Sequence, residues 1–384
     1  MGAKSVDEDA DVISGLRGVL ASATSICEVN GEEGKLSYRG IDIFELAENS
    51  NFEEVVHLLL IGKLPTRKEL LATRKTLADN REPPKEIMEL LKRTPAEAPP
   101  MAALRTAVSA LSYYDPDAND GSPDANLRKS LRLISVFPTM LATAARLREK
   151  KKPVASKPEL GLAANLLYML TGKEADAGVA RAFDIALVLH AEHELNASTF
   201  AARQVASTLA NLHASVTAAM AALSGPLHGG ANTWVMKTLL EIKEPAAAEA
   251  WVAAAFQKSQ KVPGFGHPVY KVEDPRAAVL RRLSRDVGQR MDDLKWFEIS
   301  REMELLIQKK RNLPTNVDFY SASMYYAMGI PLEQYTALFA ASRMAGWCAH
   351  IMEQQADNRI LRPRAKYVGK RNQAYVPIEK RISD

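Results

Sequence analysis

The longest uninterrupted helical pattern in this 384-residue chain most limits what it can fold into. Residues 179 to 223, VARAFDIALVLHAEHELNASTFAARQVASTLANLHASVTAAMAAL, contain no glycine, and their apolar residues recur at helical spacing. The stretch is too long for one ordinary helix, and a break is expected at ELNAST because Asn196 and Ser198 can act as caps. Its many alanines predict that neighbouring helices approach closely.

Helical spacing continues over nearly all of the chain after the first 50 residues, and no repeat of fixed period appears. Only the start differs: TSICEVNGEEGKLSYRG alternates apolar and polar residues around a turn-forming NGEEG, which predicts a β-hairpin. The fold class expected is therefore all-α and multi-helical, with fifteen or more helices and a small N-terminal β-hairpin. The length of 384 residues favours about two domains.

The composition indicates the class of protein and its cellular compartment. Apolar residues make up 47% and charged residues 25%, an ordinary soluble balance, and the net charge of +4 is too small to imply nucleic acid. Cys27 and Cys348 are too far apart for a disulfide framework or a zinc cluster, which favours a reducing, intracellular compartment. The acidic start lacks the apolar segment of a signal peptide, and no apolar run approaches the roughly 18 residues of a membrane span.

Three polar segments interrupt the helices, and the first is HAEHELNAS. His190 and His193 are three residues apart, so they are predicted to share a helix face. They are either structural histidines or two ligands of a metal, although no HExxH motif and no third ligand are evident.

The second segment, LSGPLHGGANTW, surrounds His228 with glycine and proline. A helix beginning near Ala231 or Asn232 would bring backbone N–H groups close to His228 and favour its neutral form. The alternative is a plain interhelix turn. Similarly, VPGFGHPVYK predicts an irregular loop for His267, since Pro268 disfavours helix before it and the glycines free the backbone.

The third segment, PTNVDFYSAS, places Asp318 at the start of a helix, where an aspartate is ordinarily a cap. Apolar neighbours could instead desolvate it and raise its basicity. Several arginines offer bidentate geometry for a carboxylate or phosphate, although each alone could be a surface ion-pair partner; they are Arg276, Arg343, Arg359, Arg362 and Arg364. From residue 359 to the end, the sequence contains eight Lys or Arg and only two acidic residues, which suits either an anion site or a solvated end.

In this order, GKLSYRGIDI, HAEHELNAS, GPLHGGAN, VPGFGHPVYKVEDPRA, NVDFY, SRMAGW and RPRAKYVG resemble the citrate synthase family, in its compact bacterial and archaeal branch. The similarity covers nearly the whole chain. One departure is Pro99, which stands before Pro100-Met101 where the family often has histidine. That position is not expected to be catalytic.

The resemblance implies roles for individual residues. His228 and Asp318 match the pair that activates acetyl-CoA, and His267 matches the histidine over the keto group of oxaloacetate. Oxaloacetate would be held by His193, Arg276, Arg343 and Arg362. CoA would be contacted by Gln260, Lys261, Val262, Pro263, Gly264 and Lys271.

The family also implies an architecture. A discontinuous large domain is expected over residues 1–229 and 330–384, and a small domain over 230–329 that closes to exclude water. A cytoplasmic homodimer is implied, with Arg362 donated to the partner's site. No metal or other cofactor is implied, because the CoA thioester is itself a substrate, and neither nucleic acid nor membrane is expected as a partner.

Two alternatives remain at this level. A 2-methylcitrate synthase would use propionyl-CoA with the same residues, and one methylene is worth only ~1–3 kcal/mol in a pocket. A catalytically dead helical scaffold or CoA-binding regulator would need a lost catalytic residue, whereas His228, His267 and Asp318 are all present.

Overall fold

The computed structural model of the protein describes residues 12–16 and 18–381. Thr24–Arg359 forms one compact unit, and the described parts of Met1–Ala23 and Ile360–Asp384 form another. The described residues contain sixteen α-helices: α1 (Ile43–Asn49), α2 (Phe52–Ile61), α3 (Arg67–Asp79), α4 (Lys85–Lys92), α5 (Pro100–Leu111), α6 (Pro123–Arg148), α7 (Leu162–Thr171), α8 (Ala177–His190), α9 (Ala197–Ala206), α10 (Leu212–Leu223), α11 (Ala231–Ile242), α12 (Ala248–Gln257), α13 (Pro275–Arg290), α14 (Lys295–Arg311), α15 (Val317–Ala327) and α16 (Tyr335–Ala356). The predicted all-α class is confirmed.

The long glycine-free stretch divides into three helices rather than two. Asn196 caps α9 as predicted, with its side-chain oxygen accepting from the backbone N–H groups of Ser198 and Thr199. The sequence did not reveal a second break, between α9 and α10. There the chain turns through Leu209, whose φ is +64°, and Asn211 caps α10. These closely spaced turns let α9 and α10 pack against each other.

The predicted hairpin is present as β1 (Cys27–Asn30) and β2 (Lys35–Tyr38), which pair antiparallel. A third strand, β3 (Ile41–Asp42), pairs with β2, and Asp42 then caps α1. The base of the hairpin is firmly packed, since Tyr38 is fully buried.

Helix α16 lies at the centre of the larger unit, where it packs against α6, α9 and α10. It is buried on nearly every side, because its sequence is apolar or small all round. Gly346 is required on this helix, since a Cβ there would lie 2.0 Å from Glu192 Oε2. In the described part of the chain, no helix is long and apolar enough to cross a membrane.

Candidate active site

The His267 loop is joined to the start of α15. The backbone N–H of Gly266 donates to the carbonyl of Pro314 at 2.8 Å, and that of Asn316 donates to the carbonyl of Gly264 at 3.0 Å. Both glycines have positive φ, and a Cβ on Gly264 would lie 2.6 Å from the Phe319 ring. These contacts fix the His267 loop beside Asp318, 51 positions later in the chain.

The loop holds His267 in one tautomer. The backbone N–H groups of Val269 and Tyr270 donate to its Nδ1 at 3.1 and 3.2 Å. The single proton of a neutral ring must therefore lie on Nε2. Burial, followed by the positive charge of Arg276, lowers the pKa of His267 to about 4. His267 is consequently a neutral hydrogen-bond donor at physiological pH.

His193 lies next to His267. Their ring centroids are 5.3 Å apart, and Tyr270 contacts both rings at 5.5 and 4.7 Å. The Tyr270 hydroxyl lies 3.1 Å from His193 Nε2. Burial, with further contributions from Arg276 and His267, holds the pKa of His193 well below its ordinary value. The site thus contains two neutral imidazoles bridged by one tyrosine.

The prediction that His190 and His193 share a helix face is wrong. Helix α8 ends at His190, and His193 follows outside it. His190 Nδ1 lies 2.7 Å from the Ala186 carbonyl, and burial lowers the pKa of its fully enclosed ring to about 3. His190 is therefore a structural histidine, in agreement with the non-metal alternative.

Two buried arginines supply positive charge. Arg276 is held by Asp274 through Nε at 2.9 Å and Nη2 at 2.7 Å. Burial raises the pKa of Asp274, but Arg276 outweighs this and the net pKa lies below the ordinary value. Arg343, on α16, donates from Nε to the His190 carbonyl at 2.8 Å. Within the described residues, its two terminal nitrogens have no hydrogen-bond partner, so they are available to a carboxylate.

Asp318 is the second residue of α15 but is not its cap. Asn316 is the cap, and its side-chain oxygen accepts from the backbone N–H of Asp318 at 3.1 Å. The Asp318 carboxyl is thus released from the structural role that its position suggests. Burial raises its pKa to about 6, although the charges of Arg276 and Arg343 act in the opposite direction. This places it in the range useful to a general base.

His228 lies in the turn before α11, which begins at Ala231 as predicted. A Cβ on the next residue, Gly229, would lie 2.4 Å from the Leu223 carbonyl oxygen, so glycine is needed there. The neutral imidazole expected from the helix terminus has a different cause in the structure. Burial, followed by the charge of Arg343, lowers the pKa of His228 to about 4.

Ser198 connects His228 to the central helix. Its Oγ lies 2.9 Å from His228 Nε2, accepts from Trp347 Nε1 at 3.1 Å, and donates to Asn196 Oδ1 at 2.7 Å. Asn196 Oδ1 already accepts from two backbone N–H groups. The hydroxyl proton points to Asn196 Oδ1 in this arrangement, whereas its rotation toward His228 Nε2 would leave the proton of the neutral ring on Nδ1.

A buried network of hydrogen bonds and ion pairs from α9 and α16 supports the His193 segment. Glu192 Oε1 accepts from the His193 backbone N–H at 2.8 Å and lies 3.0 Å from Nε2 of His350. Arg203 lies 3.1 Å from the other nitrogen of His350 and pairs with Glu353 at 2.7 Å. The residue before His193 is therefore fixed by groups from α9 and α16.

The remaining predicted residues are less closely engaged. Val262, Pro263 and Gly264 are buried in the loop before His267, whereas Gln260, Lys261 and Lys271 are exposed. Arg362 is exposed in the unit formed by the chain ends. The described residues contain no group of three or more His, Cys, Asp or Glu that could hold a metal ion.

Sequence reasoning missed several residues of this site. Ser198 was assigned only as a possible cap, and Tyr270 and Asp274 were given no role. Tyr270 could have been found from its place three residues after His267, because a short loop brings such neighbours together. Trp347 and Glu192 gave no such signal, since their partners are 149 and 158 positions away.

Taken together, a mostly helical unit carries a raised-pKa carboxyl, three neutral imidazoles and two buried arginines. This arrangement defines a helical enzyme for acid–base chemistry on a small anionic substrate.

Comparison with known proteins identifies the group within that class. Residues 15–364 match the family model "Citrate synthase, C-terminal domain". The chain is 45% identical to citrate synthase 2 of Bacillus subtilis, covering 96% of this chain and 98% of that protein. It is 38% identical to 2-methylcitrate synthase of Mycobacterium tuberculosis, covering 96% and 93%.

Among solved structures, the ternary complex of carboxymethyl coenzyme A and oxaloacetate with citrate synthase from Thermoplasma acidophilum aligns with a TM-score of 0.91. It is 31% identical, with 97% of this chain and 100% of that chain covered. The chain therefore belongs to the citrate synthase family and is an acyltransferase.

Proposed function

We propose that this enzyme condenses acetyl-CoA with oxaloacetate and water to give citrate and CoA. The observation that carries the proposal is the assembly of His193, His267, Arg276 and Arg343 beside Asp318, a carboxyl whose pKa is raised to about 6. The electrostatic influence of both arginines reaches His193 and Asp318 alike. A dianionic keto acid fits this combination of positive charge and neutral donors.

Oxaloacetate is proposed to bind first to the arginines. The free terminal nitrogens of Arg343 would accept one carboxylate, and Arg276, already oriented by Asp274, would assist. His193 would donate to the same substrate. His267 Nε2–H would donate to the keto oxygen, since Nδ1 is occupied by two backbone donors.

Proton removal from acetyl-CoA is proposed as the next step. Asp318 takes a proton from the thioester methyl group, and charge develops on the thioester oxygen. His228 donates a hydrogen bond to that oxygen from Nδ1, which requires the Ser198 hydroxyl proton to turn from Asn196 Oδ1 to His228 Nε2. A neutral imidazole suits this role, because it donates a hydrogen bond to the enolate oxygen without forming an ion pair with the Asp318 carboxylate.

Carbon–carbon bond formation and hydrolysis complete the reaction. The enolate carbon attacks the keto carbon of oxaloacetate, and the new alkoxide takes the proton from His267 Nε2. The proton that Asp318 removed from the methyl group then returns to His267 Nε2, so both residues are regenerated. Water then attacks the citryl thioester, the carbon–sulfur bond breaks, and CoA leaves as the thiol. No metal or cofactor is needed in this scheme.

CoA is proposed to lie along Gln260, Lys261, Val262, Pro263 and Gly264, with Lys271 near its phosphates. Val262, Pro263 and Gly264 lead directly to His267, so a ligand on this segment would be adjacent to the reacting groups. Lys271 is exposed, which suits contact with an anion.

We further propose two domains, with the small one spanning 230–329, in a cytoplasmic homodimer. Both proposed boundaries fall in interhelix turns, before α11 and between α15 and α16. Closure of the small domain would exclude water from the enolate. Arg362 of each chain would complete the partner's oxaloacetate site.

The alternative acyl substrate is propionyl-CoA, since the family relatives include a 2-methylcitrate synthase. The test is release of free thiol from each CoA ester, measured with and without oxaloacetate. A higher kcat/KM for acetyl-CoA, by about 10- to 200-fold, is expected of a citrate synthase. A reversed ratio would assign the enzyme as a 2-methylcitrate synthase, and thiol release independent of oxaloacetate would contradict both.

A further inference from the structure

The β1–β2 hairpin contacts both histidine segments of the site, although none of its residues takes part in the proposed reaction. At its tip, the carbonyl of Gly31 accepts from the backbone N–H of Lys271 at 2.8 Å. At its base, the Tyr38 hydroxyl lies 3.0 Å from the Glu192 carbonyl and accepts from the Glu192 backbone N–H at 3.3 Å. Glu192 immediately precedes His193, and Lys271 follows His267 by four residues.

The tip contact depends on glycine. A Cβ on Gly31 would lie 2.2 Å from the Val269 carbonyl oxygen, well inside van der Waals contact. A Cβ on Gly34 would lie 2.7 Å from Val272 Cγ2, and its φ of +66° also favours glycine. The two glycines of NGEEG therefore let the turn lie directly against residues 269–273.

The turn itself is preorganised. Asn30 Oδ1 accepts from the backbone N–H groups of Glu32 and Glu33 at 3.2 and 3.1 Å, which closes the turn. The hairpin is also short, with four residues in each strand, and Tyr38 at its base is fully buried. In so short a hairpin, the buried base restricts the position of the tip.

We infer that the β1–β2 hairpin is a positioning clamp that holds the His193 and His267 segments at a fixed separation. Tyr38 fixes the backbone before His193. Gly31 fixes the segment whose N–H groups orient His267, because it binds the next residue after Tyr270. This inference rests on the proposed function, since the separation matters only if both histidines bind oxaloacetate.

The test is Gly31→Ala, with Glu32→Ala as the control in the same turn, since the Glu32 side chain is exposed. The added methyl group pushes the tip away from Val269, so oxaloacetate affinity, measured without a CoA ester, is expected to fall about tenfold. The thermal midpoint is expected to change by less than about 2 °C, because the turn lies outside the core. Glu32→Ala should match the wild type in both measurements.

Hydrogen–deuterium exchange at the Lys271 amide gives a second readout. It should be slow in the wild type and in Glu32→Ala, and fast in Gly31→Ala. Wild-type oxaloacetate affinity in a folded Gly31→Ala variant would overturn the clamp. If that variant does not fold, Tyr38→Phe tests the base, and the same loss of affinity is expected from its missing hydroxyl.

The two hypotheses fail differently. If the wild type does not bind oxaloacetate at all, the proposed function is wrong. If the wild type binds oxaloacetate and is active, but the Lys271 amide exchanges freely, the clamp alone is wrong.

Discussion

Four ionisable side chains of the site are shifted toward their neutral forms, with burial as the first cause in each: His193, His228, His267 and Asp318. Burial lowers the pKa of His228 and His267 to about 4, and it raises that of Asp318 to about 6. At pH 7 the histidines are neutral, while Asp318 is still mostly ionised. The site therefore combines neutral donors with a base that has been made more basic, and its positive charge comes from arginine alone.

Replacement of the base should separate binding from chemistry. In Asp318→Asn, kcat is expected to fall by ~10²–10⁴-fold, because the lost carboxylate acts in the transition state. Oxaloacetate binding should remain nearly intact. Single-turnover kinetics and equilibrium binding provide the two measurements, and near-normal turnover would show that Asp318 is not the base.

The same variant has a distinct pH signature. The folded pKa of Asp318 is above its ordinary value, so folding favours the protonated form. Its stabilising contribution is complete below about pH 3.8 and is lost as pH rises through about 6. Asp318→Asn should therefore be more stable than the wild type at pH 8, and this difference should shrink toward pH 4. Wild-type kcat/KM should rise through a pKa near 6.

Among the elements, helices were easier to predict than the contacts between them. Helical spacing predicted α8 and α9, and the Asn196 cap is where the sequence placed it. The end of α8 at His190 was not predicted, because no glycine or proline marks it. Ser198 and His228 are 30 residues apart, and only the packing of α9 against the turn before α11 brings them together.

The loop that carries His267 offers a test at this scale. Gly264→Ala forces a side chain into a backbone with φ of +84° and against the Phe319 ring, so stability should fall by roughly 1–3 kcal/mol. Turnover should fall with it, since the loop would leave α15. Urea unfolding measures the first effect and thiol release the second.

Gly121→Ala is the matched control, because a Cβ there meets no atom within 4 Å and its φ is not positive. It should differ from the wild type by a few tenths of a kcal/mol at most. Equal effects of the two substitutions would contradict the close packing described for Gly264.

Across the whole molecule, the chain separates into a large unit that contains His228, His267 and Asp318 and a second unit formed by the described residues of its two ends. The sequence predicted the fold class and the resemblance supplied every proposed catalytic residue. An oxaloacetate site built from residues of two subunits depends on a second chain, so the composite site remains a prediction. Arg362 is the residue on which it depends.

Mixing two inactive variants tests the composite site. Asp318→Asn and Arg362→Ala are each expected to be inactive as homodimers. After subunit exchange, a mixed dimer has one site with both defects and one site with neither, so activity should return. Continued inactivity after verified exchange would place Arg362 in the site of its own chain.

Helix α16 carries Arg343, Trp347 and His350, which contact three different parts of the site: the His190 carbonyl, Ser198 and Glu192. Their spacings of four and three residues put them on one face of the same helix. Inserting one amino acid between Arg343 and Trp347 would turn everything beyond it by about 100°. This helix should thus accept many replacements of like size but no change of length, so its natural variants are expected to differ by substitution and never by a gap.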